Sequence, residues 1–130
     1  MQSTWHSRAC TRDGGSADIA RDYGKAKVIT TTNVFAHMAP LGEVVRGIVE
    51  LLDNDGVFIT ESHYLLDVIQ TGQFDTVYHE HIRTYSLKSL VTLFGYYNME
   101  VFDVRRAERY GGNIRAYVAR KGSQIGRAHV

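Results

Sequence analysis

The sequence predicts an α/β domain built around a small sheet. Three observations carry that expectation. Two short β-branched segments flank a stretch of helical period, a second helical stretch follows later, and two strand-like segments close the pattern around a glycine pair.

The elements follow in order. Residues 1–16 mix Trp5, His6, Arg8, Cys10 and Arg12 with Gly14 and Gly15 and show no period, so an irregular leader or truncated edge is expected there. Ala17 to Tyr23 predicts the last turns of a helix, with Gly24 as its stop and Lys25 and Lys27 beside it. Val28 to Thr32 is β-branched throughout, the composition of a strand covered on both faces in a parallel sheet. Leu41, Val44, Val45, Ile48, Val49 and Leu52 recur at helical spacing, and Asn54-Asp55-Gly56 predicts a turn that ends this helix. Val57 to Glu61 reads as a second short buried strand. Ser62 to Tyr85 is polar and aromatic, with little period. Ser86 is the expected N-cap of a helix whose apolar face is Leu87, Leu90, Val91, Phe94 and Tyr97, and Asn98 suits a left-handed turn after it. Met99–Arg106 and Asn113–Arg120 predict two strands that pair antiparallel across Gly111-Gly112.

The chain has 130 residues, enough for one domain with a real core. Its net charge of +1 provides no basic field for nucleic acid. No apolar run is long enough to span a membrane, and the N-terminus has no apolar signal segment, so a cytoplasmic protein is expected. Cys10 stands alone, which excludes an internal disulfide. Four strands make only part of a doubly wound sheet, and no glycine-rich nucleotide turn follows a strand. A truncated portion of a larger sheet is favoured over a small complete one.

Ligands of open α/β sheets bind beyond the carboxyl ends of the strands. Asn33 to His37 follow the first strand, and Ser62-His63-Tyr64 follow the second. The long segment that begins there contains Gln73 to His81, including Tyr78-His79-Glu80-His81. A run of residues that can all move protons suits acid–base work. The bland readings are a solvated loop or, if the segment is extended, a metal shared by His79 and His81. The spacing is not that of a helical zinc motif, and no metal ligand is assigned.

The ordered pattern Gln73-Phe74-Asp75-Thr76-Val77-Tyr78-His79-Glu80-His81, then Tyr85-Ser86-Leu87 and Gly111-Gly112-Asn113-Ile114-Arg115, resembles S-adenosylmethionine-dependent sugar C-methyltransferases. With Asn33 to His37 upstream, the resemblance spans roughly residues 17–122. It implies the C-terminal part of a class I methyltransferase (Rossmann-like) sheet. The family's zinc-binding N-terminal domain and its glycine-rich cofactor loop lie outside the matching region. Tyr110 and Asn113 depart from the residues common in the family at those places.

The resemblance implies methylation of a carbon next to the ketone of a nucleotide-linked keto-deoxysugar, through base-assisted enolate formation. It assigns the base to His81, with Glu80 orienting and polarising the site, Tyr78 on the sugar and His37 across the pocket near the ketone or enolate oxygen. Asn33 is placed beside the cofactor's amino-acid end. Tyr64, Gln73, Asn113 and Arg115 are candidate sugar or diphosphate contacts. Alternatives are a nucleotide-sugar binder without methyl transfer, and a metal-binding module. Residues 123–130 read as a non-native tail, because Ile125 to Val130 resembles translated sequencing adaptor.

Overall fold

The structure, a computed structural model, describes residues 15–108 and 111–127. Helix α1 (Gly15–Tyr23) ends at Gly24, whose φ of 81° and N–H bond to the Ala20 carbonyl form the expected left-handed stop. Strand β1 is Ala26–Thr32, followed by a 3-10 turn at Phe35–His37 and helix α2 at Leu41–Leu51. Strand β2 runs over Leu52–His63. Helix α3 (Leu65–Thr71) and a second 3-10 turn (Phe74–Thr76) occupy the segment that showed little period. Helix α4 (Leu87–Gly95), strands β3 (Met99–Ala107) and β4 (Asn113–Arg120) and the short helix α5 (Gln124–Arg127) complete the chain.

The sheet order is β1-β2-β4-β3, with β1 parallel to β2 and the other pairs antiparallel. The predicted hairpin of the last two strands is therefore present. Asn54-Asp55-Gly56 does not end a helix but lies within β2. The register jumps there from Ala26↔Leu52 to Val28↔Val57, and the Asp53 carboxylate accepts the Asp55 N–H (3.2 Å). The turn chemistry was correctly placed, but it makes a bulge in the strand rather than a connection.

One face of the sheet carries the core. Phe58, Thr60 and Ser62 alternate with Val118, Ala116 and Ile114 across the β2–β4 register, and all are buried. Val45 and Ile48 from α2, Leu90 and Phe94 from α4, and Phe35 from the first 3-10 turn join them. The rings of Phe35, Phe58 and Phe94 lie within 6.0 Å of one another, centroid to centroid. Burying each contributes roughly 1.5–3 kcal/mol. Arg120 closes α2 by donating to the Val49 and Leu52 carbonyls (2.5 and 2.8 Å), a cation at the negative end of the helix.

On β1 the other face is open, with Val28, Thr30 and Thr32 all exposed. Val28 is 56% exposed, which corrects the expectation that β1 is covered on both faces. The β-branched run reflects a strand made for burial, but α2 and the rest of the core cover one side only among the described residues. Residues 1–14, Tyr110 and residues 128–130 lie outside the described residues, as do the expectations made for them. No helix among the described residues is long and apolar enough to cross a membrane.

Candidate active site

The loop from Tyr64 to Tyr85 is pinned at its base. Tyr64 and Tyr85 form a parallel bridge, the Leu65 N–H donates to the Tyr85 carbonyl (2.9 Å), and the buried Tyr85 hydroxyl donates to the Phe35 carbonyl (3.3 Å). Burial pushes the Tyr85 phenol above its usual pKa, while Arg83 nearby pulls the other way. Arg83 donates to the Met38 and Ala39 carbonyls (2.5 and 3.2 Å), tying the end of the loop to the turn that carries His37.

This closure brings three histidines from separate elements together. The His81 ring lies 4.6 Å from His37 and 5.3 Å from His63, and the Tyr78 ring is 4.1 Å from His81. Residues 78–81 form a turn, closed by the His81 N–H on the Tyr78 carbonyl (2.9 Å), rather than an extended strand. His81 therefore faces inward, while His79 and Glu80 stay at the tip with side chains 91% and 65% exposed, paired at 3.9 Å. Among the described residues no group of three His, Cys, Asp or Glu has the geometry to hold a metal ion.

The His81 tautomer follows from its partners. Nδ1 is 2.7 Å from the Thr76 carbonyl, which can only accept, so Nδ1 carries the hydrogen. The lone pair of the neutral ring is then on Nε2, 2.9 Å from the Tyr78 hydroxyl, which donates to it. If Nε2 gains a proton, the same phenol oxygen can accept, so Tyr78 serves both charge states. Thr76 is fixed in turn by its hydroxyl on the Gln73 carbonyl (2.8 Å). His63 has its pKa held below the usual value, first by burial and then by His81 and His37.

The remaining candidates divide. The Gln73 amide donates to the Gly111 carbonyl (2.7 Å) and to Thr71 (2.6 Å), holding the loop against the hairpin turn. Tyr64 lies under the Arg106 guanidinium at 5.5 Å, and Arg106 is ion-paired with the buried Asp67. A Cβ on Gly112, whose φ is 122°, would come within 2.6 Å of the Asp67 Cβ, so the second glycine of the pair is required both for its backbone angle and for this contact. Asn33, in the left-handed region at φ 52°, terminates β1 and donates its N–H to the Glu61 carbonyl (2.8 Å).

Asn113 and Arg115 both donate to Glu61, a carboxylate that is 4% exposed. That bond, above all, raises the Arg115 pKa. Glu61, His63 and Asp67 were not singled out as site residues in the sequence. The signal for Glu61 was there: an acid closing an apolar strand with an arginine in the other predicted strand.

The comparisons with known proteins agree with this architecture. The chain is 39% identical over 102 residues to the C-methyltransferase NovU of Streptomyces niveus, a match covering 78% of this chain and 24% of NovU. It thus spans about a quarter of the length of that curated relative. No protein-family model matches. The S-adenosylmethionine complex of LepI shares the fold with a TM-score of 0.61 at 10% identity, over 75% of this chain and 27% of LepI. Magnesium protoporphyrin IX methyltransferase (ChlM) of Synechocystis PCC 6803, solved with bound SAH, gives 0.57 at 12% identity over 80% and 49%. A SAM-dependent methyltransferase from Anabaena variabilis gives 0.57 at 13% identity over 82% and 54%. At those identities the likeness is one of fold. The sequence likeness to a quarter of NovU and the sheet shared with these solved structures together give this chain the fold of a segment of a class I methyltransferase.

Proposed function

We propose that this segment serves an S-adenosylmethionine-dependent enzyme that methylates a carbon next to the ketone of a nucleotide-linked keto-deoxysugar. The observation that carries the reading is His81, whose Nδ1–H is fixed on Thr76 and whose Nε2 lone pair is available at the carboxyl edge of the sheet. A carbon beside a ketone becomes nucleophilic only after losing a proton. His81 Nε2 takes that proton once the substrate displaces the Tyr78 hydroxyl, and Tyr78 then accepts a bond from the imidazolium. His37, beside His81, donates to the developing enolate oxygen, where a positioned donor is a large catalytic contribution. Glu80 and His79, at the exposed tip, approach a substrate from the solvent side.

The methyl donor fits one corner of this segment. Phe35 and Ala36 are committed to the core, so the polar group at the end of β1 is Asn33, whose side-chain oxygen suits the ammonium of an amino acid. S-adenosylmethionine, when bound, supplies an electrophilic methyl group on a sulfonium. Arg115 keeps N–H donors beyond the two on Glu61 and a side chain 40% exposed, which suits a diphosphate. Tyr64, Gln73 and Asn113 complete the acceptor side. Zinc belongs, on this reading, to a separate N-terminal domain and to no step here. The enzyme works in the cytoplasm, without nucleic acid or membrane.

The test is His81→Asn in the complete methyltransferase. Turnover falls roughly 10²–10⁴-fold, the usual worth of a positioned general base, while acceptor binding persists. Exchange of the sugar's α-hydrogen with deuterated water, followed without the methyl donor, is lost as well. Exchange that survives in His81→Asn but vanishes in His37→Asn would move the base to His37. Loss of activity with chelator, restored by added metal, would favour the metal reading instead.

A further inference from the structure

We propose that Glu61 is a positioning residue that turns the Asn113 side chain into a fixed hydrogen-bond acceptor for an O–H or N–H group of the bound ligand. An asparagine amide has a donor end and an acceptor end, and a half-turn exchanges them. Here the exchange is blocked. The Glu61 carboxylate can only accept, and its Oε1 lies 3.1 Å from Asn113 Nδ2, with Asn33 Oδ1 a second, weaker acceptor at 3.4 Å. Asn113 Oδ1 must therefore face the other way. It is buried, on a residue with no exposed surface, and has no partner among the described residues. A buried carbonyl left in that state is uncommon, and a ligand that completes it accounts for it.

Glu61 is itself held from several sides. Its Oε2 accepts from Arg115 Nε (2.8 Å) and from a terminal Arg115 nitrogen (2.7 Å), and its backbone carbonyl accepts the Asn33 N–H. One residue of β2 thus fixes side chains of β4 and the end of β1. Asn113 pairs in register with His63, whose ring is 5.3 Å from His81, so the oriented acceptor sits beside the imidazole cluster. The donor it awaits is a hydroxyl of the methyl acceptor or the ammonium of the methyl donor. The inference rests on the methyltransferase reading above.

The test measures kcat and the KM of each substrate in the complete methyltransferase, with a nucleotide-linked keto-sugar and S-adenosylmethionine as probes. In Asn113→Ala one KM rises about tenfold, the cost of one buried hydrogen bond, while kcat changes little. Glu61→Gln raises the same KM, because the amide is then free to turn. A rise for the sugar identifies a hydroxyl, and a rise for S-adenosylmethionine identifies the ammonium. If Asn113→Ala does not fold, Asn113→Ser keeps a donor to Glu61 and carries the same expectation. Unchanged KM values in the folded variants overturn the proposal. So does a fall in kcat and stability with no selective KM effect, since that marks a structural strut. A second readout is independent of the reaction: the Asn113 Nδ2 hydrogens exchange slowly in the wild type and rapidly in Glu61→Gln. If the wild type transfers no methyl group yet shows this pattern, the functional reading fails and the positioning by Glu61 stands. Rapid exchange in the wild type removes the positioning itself.

Discussion

His63 is the residue whose environment most directly couples this site to pH. Burial, then His81 and His37, holds its pKa below the ordinary 6.5. The unfolded chain therefore takes up a proton near 6.5, and the folded chain does so only at lower pH. The stability that neutral His63 contributes is complete above about pH 6.5 and is lost as pH falls through the folded-state value. Urea midpoints should accordingly drop between about pH 7.5 and 5, and His63→Asn should flatten that drop. Parallel profiles for the two proteins would assign the acid sensitivity to other groups. At this scale the sequence was informative about identity but not about partnership. It marked Tyr78 and His81 as chemically capable, yet it also grouped them with His79 and Glu80. Only the turn closed by the His81 N–H separates the inward pair from the exposed pair. His63 was visible as a residue following a strand, but its approach to His81 depends on an 18-residue closure between distant backbone segments that no local pattern encodes.

Among the elements, those with strong local signals were legible. Helix α4 starts where Ser86 predicts it: the Ser86 hydroxyl accepts the Ser89 N–H (3.1 Å), and the Ser89 hydroxyl accepts the Ser86 N–H (2.9 Å). Removing the cap in Ser86→Ala should cost about 1 kcal/mol, read as a lower denaturant midpoint with unchanged slope. A midpoint equal to wild type would show that packing of Leu90 and Phe94 alone sets the helix start. Asn98 adopts the left-handed φ of 55° that its place predicts, and β4 spans the residues expected of it. Helix α3 has little local signal because seven residues give barely two turns of period, and five of them, including the buried Asp67, are polar or face outward. What specifies α3 is tertiary: the Asp67–Arg106 pair, the glycine pair packed against it, and Gly72 at φ 65° closing its end. The expected turn at Asn54-Asp55-Gly56 is a bulge within β2 for a related reason. Asn-Asp-Gly marks a change of direction, but whether the chain leaves the sheet or rejoins it is decided by the neighbouring strand.

For the molecule as a whole, the governing feature is the unfinished sheet. Among the described residues β1 pairs only with β2, so its other edge presents unpaired backbone groups, and the face bearing Val28 is open. This chain covers 27% of LepI and 49% of ChlM, so both of those proteins contain further structure beyond the shared part. A bare edge beside an apolar, β-branched strand is a template for pairing with another chain. Lys27, held by Asp53 at 3.2 Å, is the one charge on β1 that opposes it. The 130-residue chain alone should therefore self-associate as its concentration rises, with sedimentation moving from monomer to larger species. Val28→Lys places a second charge on β1 at a position 56% open to solvent, so it should suppress association with little loss of stability, within about 0.5 kcal/mol. Association unchanged in Val28→Lys would place the sticky surface elsewhere, with the exposed Phe74, Val77 and Ile82 of the site loop next in line. A monomer that stays monodisperse at all concentrations and unfolds cooperatively would show that the four-stranded sheet is self-sufficient, and that its open face is tolerated rather than built for burial.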